Sequence, residues 1–228
     1  MCTLAAHAAT TGSGRVATEA RALGPFQSVA LRGAIDLVVR HGERETVQVR
    51  ADDNVLPLVQ TVVDGEGDAR TLRVQLRPGE SIRGASRIEV TVDLPRLKSI
   101  SSAGSGDITV KPYRTPALSL SVSGSSNVRF EQLEADQFTI SIAGSGDVEA
   151  RGKSSRLEIS IAGSGDVRAR ELAADDASVS IAGSGDASVT ARKSLEVSIA
   201  GSGDVEYGGG ATLTRSRVAG SGSVRQRP

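Results

Sequence analysis

The chain has 228 residues, and its 27 lysines and arginines balance its 27 aspartates and glutamates to a formal net charge of zero. A nucleic-acid binder draws on a basic excess to displace counterions, and three phenylalanines, two tyrosines and no tryptophan supply neither base-stacking platforms nor aromatic floors for sugars. One cysteine, Cys2, and two histidines, His7 and His41, exclude an intramolecular disulfide, a zinc cluster and a Cys–His dyad.

In chain order, the first ten residues resemble the tail of a secretory signal. Small residues surround Ala6-His7-Ala8, but the basic and long apolar parts of a signal are missing. Three readings stand: a truncated signal remnant, Cys2 as the lipid-bearing first residue of a mature lipoprotein, or an unprocessed flexible N-terminus. All place residues 1–23 outside the fold. No apolar run approaches the roughly 18 residues needed to cross a bilayer.

Residues 24–98 are strongly β. Ala34–Arg40, Thr46–Arg50, Leu72–Leu76 and Ile88–Leu94 alternate apolar with polar residues, and His41-Gly42-Glu43, Asp52-Asp53-Asn54, Asp64–Asp68 and Arg77-Pro78-Gly79 are turn signals between them. They are expected to form irregular first rungs and an N-terminal cap. No linker follows, since Leu97-Lys98-Ser99-Ile100 runs straight into the next region, so residues 24–228 read as one domain.

Residues 99–224 contain seven repeats. Ala-Gly-Ser-Gly-Asp stands at Ala103–Asp107, Ala143–Asp147, Ala162–Asp166, Ala182–Asp186 and Ala200–Asp204, with degenerate copies at Ser123–Asn127 and Ala219–Ser223. Starts at 103, 123, 143, 162, 182, 200 and 219 give a step near 19, which is a solenoid signal. Before each pentad, apolar residues alternate with Ser101, Ser121, Ser141, Ser160, Ser180 and Ser198 at period two, the strand signature; an apolar residue after each pentad opens a second strand. The glycine pairs Gly104 and Gly106, Gly144 and Gly146, Gly163 and Gly165, Gly183 and Gly185, and Gly201 and Gly203 read as a structural corner where a Cβ would clash, each followed by an aspartate: Asp107, Asp147, Asp166, Asp186 and Asp204.

A meander of antiparallel hairpins and a coil of stacked parallel strands both fit such a unit. The coil explains better why each offset keeps its residue type and why length varies only between the pentads. The expected fold is all-β: a single-stranded parallel β-helix, with rungs about 4.8 Å apart. The missing six-residue apolar beat favours the right-handed form. Its last rung carries Arg215, Arg217, Arg225 and Arg227, which read as edge protection or as a docking end.

These features resemble the bacterial putative auto-transporter adhesin family, head GIN domain. The Gly-Ser-Gly-Asp array carries the likeness, with Phe26–Gly33, Ile35–Gly42, Val47–Asn54, Leu72–Leu76 and Ile88–Pro95 matching its opening strands. The resemblance covers about residues 15–225. It implies a right-handed parallel β-helix in an exported, envelope-associated protein, and no catalytic residues.

Chemistry, if present, would lie in the stacked acidic row. Carboxylates about 5 Å apart match a retaining glycosidase pair, but any stacked aspartates give that spacing. A cation ladder on Asp147, Asp166, Asp186 and Asp204 is a second reading, although the register differs from that of calcium-binding β-rolls. The third and favoured reading is structural, with each aspartate capping its turn. The serine row and His41 read as solvent-exposed. No cofactor is implied. The expectation is a non-enzymatic, exported cell-envelope module, periplasmic, outer-membrane-associated or at the surface, that is adhesin-like toward a protein or glycan. The alternatives are a carbohydrate-active β-helix enzyme and a periplasmic scaffold or sensor part. A homo-oligomer is compatible with all of them.

Overall fold

The computed structural model describes residues 9–227. Each repeat makes one turn of a β-solenoid and contributes to three faces. The first face holds the strand before the pentad, as in Thr139–Gly144; the second holds the strand after it, as in Val148–Ala150; the third holds the stretch that returns, as in Gly152–Leu157. Rungs pair in parallel and in register, Ser121 on Ser141 on Ser160 on Ser180 on Ser198, and Gly124 on Gly144 on Gly163 on Gly183 on Gly201. Register shifts fall between the pentads, at Phe130/Leu133, Glu149/Arg151, Ala169/Ala173, Ala174/Asp176 and Leu195/Glu196, the last leaving Thr214 as an extra residue in Thr212–Gly220.

The period-two pattern turns one residue of each pair inward. Leu120, Ile140, Ile159, Val179 and Val197 stack as one row, and Val122, Ile142, Ile161, Ile181 and Ile199 as the next, all buried. Each such side chain contributes about 1.5–3 kcal/mol. Phe130 and Phe138 meet edge to face at 4.9 Å inside the coil. One rung breaks the pattern with an inward Ser102, and the rung above it breaks the pentad with Ser126 in place of the second glycine. Their buried hydroxyls bond each other at 2.7 Å, so two irregularities cancel.

Both glycines of the corner are needed, for different reasons. Gly163 has φ +137, and a Cβ on it would run into the carbonyl of Gly144 beneath; Gly165 has no positive φ, but its Cβ would run into the carbonyl of Gly146. The positive φ recurs at the first glycine from Gly124 to Gly220, and the second glycine is there for room.

The N-terminal rungs are not stacked in chain order. On the first face Ser28–Gly33 lies between Thr71–Leu76 and Ser99–Gly104, parallel to both. On the second face Ile88–Leu94 is inserted between Ile35–His41, its parallel partner, and Thr46–Asp52, its antiparallel one. The end is closed by antiparallel strands, Val59–Asp64 on the first face and Val16–Arg21 on the second.

The chain before residue 24 also departs from expectation. Thr10–Thr11 pairs with Ile82–Arg83, and Val16–Arg21 is an edge strand. Between them Asp52-Asp53-Asn54, read as a plain turn, works as a clamp. The Ser13 N–H donates to Asn54 Oδ1 at 3.0 Å, the Gly14 N–H to Asp52 Oδ2 at 3.1 Å, and Asn54 Nδ2 to the Thr11 carbonyl at 2.8 Å. This arm sets only Ala17 against the core and is otherwise held by polar bonds, which is why no hydrophobic period betrays it. Asp52 is fully buried, and hydrogen bonds from Ser86 and then from Gly14 pull its carboxyl below the usual range. Residues 1–8, with Cys2 and His7, lie outside the described residues.

Candidate functional site

The corner that the glycines open also aligns the aspartates. The acidic row runs up one edge, and most of its members bond the rung above. Asp147 Oδ1 accepts the Asp166 N–H at 3.1 Å, Asp166 Oδ1 the Asp186 N–H at 3.0 Å, and Asp186 Oδ1 the Asp204 N–H at 2.8 Å. Asp204 Oδ1 accepts both the N–H and the hydroxyl of Ser223, which hold its carboxyl below the usual range. Where the row would place two more carboxylates together, Asn127 intervenes and donates its amide to Asp107 Oδ1 at 3.1 Å.

Like charges about 4.8 Å apart repel by roughly 0.9 kcal/mol in water-like surroundings, and more when partly desolvated. Arginines answer that cost on the outer oxygens. Arg168 bridges Asp147 at 3.0 Å and Asp166 at 3.1 Å. Arg87 bridges Asp107 at 3.2 Å and Asp36 at 3.4 Å. Asp36 was not picked out from the sequence, yet it begins the row, its Oδ1 accepting the Asp107 N–H at 2.8 Å. The signal was present: Arg32-Gly33-Ala34-Ile35-Asp36 is a further degenerate pentad, with Gly33 directly under Gly104.

The second face beside this row is a charged groove of about 740 Å³. Ala150, Val167, Ala187 and Val205 are among its lining, with ion pairs within and between rungs. Arg151 reaches Glu149 at 2.9 Å and Glu171 at 3.4 Å, and Arg129 reaches Glu149 at 3.4 Å. Arg170 passes over a whole rung to Glu206 at 2.6 Å, and Arg227 meets the same carboxylate at 3.4 Å. None of these pairs follows from the repeat, because the positions outside the pentad change charge from rung to rung.

Other expected residues stand apart. Ser121, Ser160, Ser180 and Ser198 are exposed on the first face and Ser141 is half-buried, away from the groove. His41 is exposed with its ring edge-on to Tyr113 at 5.5 Å, and burial pushes the Tyr113 hydroxyl upward while it donates to the Leu94 carbonyl. Among the described residues no three His, Cys, Asp or Glu side chains converge as a metal site, and no helix is long and apolar enough to cross a membrane.

Stacked glycine corners, in-register apolar rows and a charged flank define a β-solenoid. Residues 25–211 match the family described as putative auto-transporter adhesin, head GIN domain, and the chain belongs to it. No curated protein matches the sequence. The fold is shared with a putative adhesin from Bacteroides fragilis, at 22% identity and TM-score 0.88, covering 95% of this chain and 99% of that one. A putative lipid binding protein from Parabacteroides distasonis aligns at 23% identity and TM-score 0.78, over 97% and 100% of the two chains. A putative adhesin from Parabacteroides merdae does so at 23% and 0.75, over 96% and 99%.

Proposed function

We propose that the chain is a non-enzymatic binding module of the bacterial cell envelope, a rigid adhesin-like rod that engages a protein or glycan along its charged second face. The observation that carries this reading is how the acidic row is used. From Asp147 to Asp204 one oxygen of each carboxylate holds the backbone of the next rung, and Arg168 takes the outer oxygens of Asp147 and Asp166. A glycosidase needs one carboxyl raised to serve as acid beside one left free as nucleophile. Asp204 moves the opposite way, downward. The groove, by contrast, offers fixed charges of both signs on a backbone that cannot flex, which suits recognition with little ordering cost.

Family membership supports an exported address, and the relatives' description as adhesins supports contact with other molecules. Incubation with acidic polysaccharides tests the chemistry: no new reducing or unsaturated ends should appear, and their release would establish the carbohydrate-active alternative. Fractionation of cells making the full-length product, with surface protease treatment, tests the address. Recovery in the envelope fraction is expected, and a purely cytosolic product would refute it.

A further inference from the structure

Among the described residues the two ends of the solenoid are covered differently. At the N-terminal end Val16–Arg21 turns Glu19 and Arg21 over the core, opposite the buried Val49 and Val47. Those two side chains pair at 3.1 Å, and Arg21 donates to the Leu56 carbonyl at 2.9 Å, so inward charges and a short 3-10 turn close that end. The last rung has no such cover among the described residues. Among the described residues Thr212–Gly220 pairs on one side only, with Ser194–Gly201. Val218 stacks on Ile199 and is 43% exposed, where Ile199 is 2% exposed. A row of backbone N–H and C=O groups and a strip of inward-facing apolar surface are left bare together.

On the outward side of that strand stand Arg217, in the place held by serines in the rungs beneath, and Arg215 beside it. Neither makes an ion pair among the described residues, whereas Arg151, Arg168, Arg170 and Arg227 all do. We propose that the Thr212–Val218 edge is a strand-addition site for an extended acidic segment of another protein, one in which apolar residues alternate with aspartate or glutamate. Such a segment completes the ladder, continues the inward row over Ser216 and Val218, and sets its carboxylates beside Arg215 and Arg217 at cross-strand distance, about 5 Å.

Two other occupants fit less well. A second copy paired antiparallel about a twofold axis sets the arginines of one strand against those of the other. A complete further rung must pass the corner at Gly220, where a Cβ would strike the carbonyl of Gly201 below, and every stacked rung from Gly33 to Gly220 carries glycine at that position, so a chain without one there does not stack on it. A linear segment leaves before the corner. The arginines that deter neutral edges thus select an acidic one.

The test is fluorescence anisotropy at about 50 mM salt, where surface charge is weakly screened. The labelled probes are the peptides Thr-Val-Glu-Val-Asp-Val-Thr and Thr-Val-Lys-Val-Lys-Val-Thr, each titrated with the 228-residue chain and with its R215E/R217E variant. The acidic peptide should bind about tenfold more tightly than the lysine peptide, and the double reversal should invert that preference with the far-ultraviolet dichroism unchanged. No saturable binding below about 1 mM, equal affinity for both peptides, or a preference that survives the reversal overturns the proposal. So does sedimentation showing self-association that R215E/R217E abolishes, which would make a second copy the occupant. Because this edge and the second-face groove are separate, either can fail alone.

Discussion

Replacing Gly163 by alanine puts the stacked corner under the sharpest strain. Two costs add. An L-residue at φ +137 sits in backbone that favours glycine, which costs about 1–2 kcal/mol. The new Cβ also meets the Gly144 carbonyl, a backbone group held in the ladder that cannot swing aside, and overpacking of this kind costs about 1–3 kcal/mol. A total near 3 kcal/mol lowers the melting temperature by about 6–12 °C for a domain of this size. Two companions separate the costs. Gly165→Ala carries the contact without the positive φ, and Gly84→Ala carries φ +57 in open space, so each should lose about half as much. Ser164→Ala, exposed in the same corner, should stay within about 0.5 kcal/mol. Thermal denaturation followed by far-ultraviolet dichroism reads all four. If Gly163→Ala melts with Ser164→Ala, the rungs are not in contact at the corner and the reasoning fails.

Further outcomes follow from the same geometry. Ser102→Val leaves the buried Ser126 hydroxyl without its partner and should cost about 1–3 kcal/mol; the double variant S102V/S126G, which copies the neighbouring rungs, should recover most of that loss in urea unfolding. Asp52 titrates lower in the folded chain than in the unfolded one, so its contribution is present above the unfolded pKa near 4 and is lost as pH falls through the folded value; Asp52→Asn should therefore flatten the loss of stability with acid below about pH 4, and an unchanged acid limb would refute the clamp. Calcium at about 5 mM should leave the melting temperature unmoved, whereas a rise of several degrees would establish the cation ladder. Arg168→Ala removes a pair of exposed bridges and should cost no more than about 1 kcal/mol, with high salt erasing the difference.

How much the sequence shows depends on whether a feature repeats. The pentads were legible because stacking forces like onto like: the first corner glycine sits over glycine in every rung, and inward apolar residues sit over apolar ones. Asp36 escaped because Ile35 stands where the later rungs carry glycine, which hides a rung that the Gly33–Asp36 spacing still marks. The insertion of Ile88–Leu94 between Ile35–His41 and Thr46–Asp52 was not legible, because an alternating strand looks the same whether its neighbour runs parallel or antiparallel. The arm from Thr10 to Arg21 was misjudged because its binding is largely polar, and a hydrophobic period is the signal strands normally give. The second-face groove was invisible for a related reason. Its walls depend on side-chain reach, as in Arg170 spanning a rung to Glu206, and reach leaves no periodicity.

Distances along the serine row test the stacking most directly. Nitroxide labels at Ser121 paired in turn with Ser160, Ser180 and Ser198 span two, three and four rungs. At about 4.8 Å per rung the backbone separations are about 10, 14 and 19 Å, so spin–spin measurements should lengthen in equal steps. Separations that alternate between short and long, as in an up-and-down meander, or that fail to grow with rung number, would contradict the solenoid and the account of the acidic row built on it.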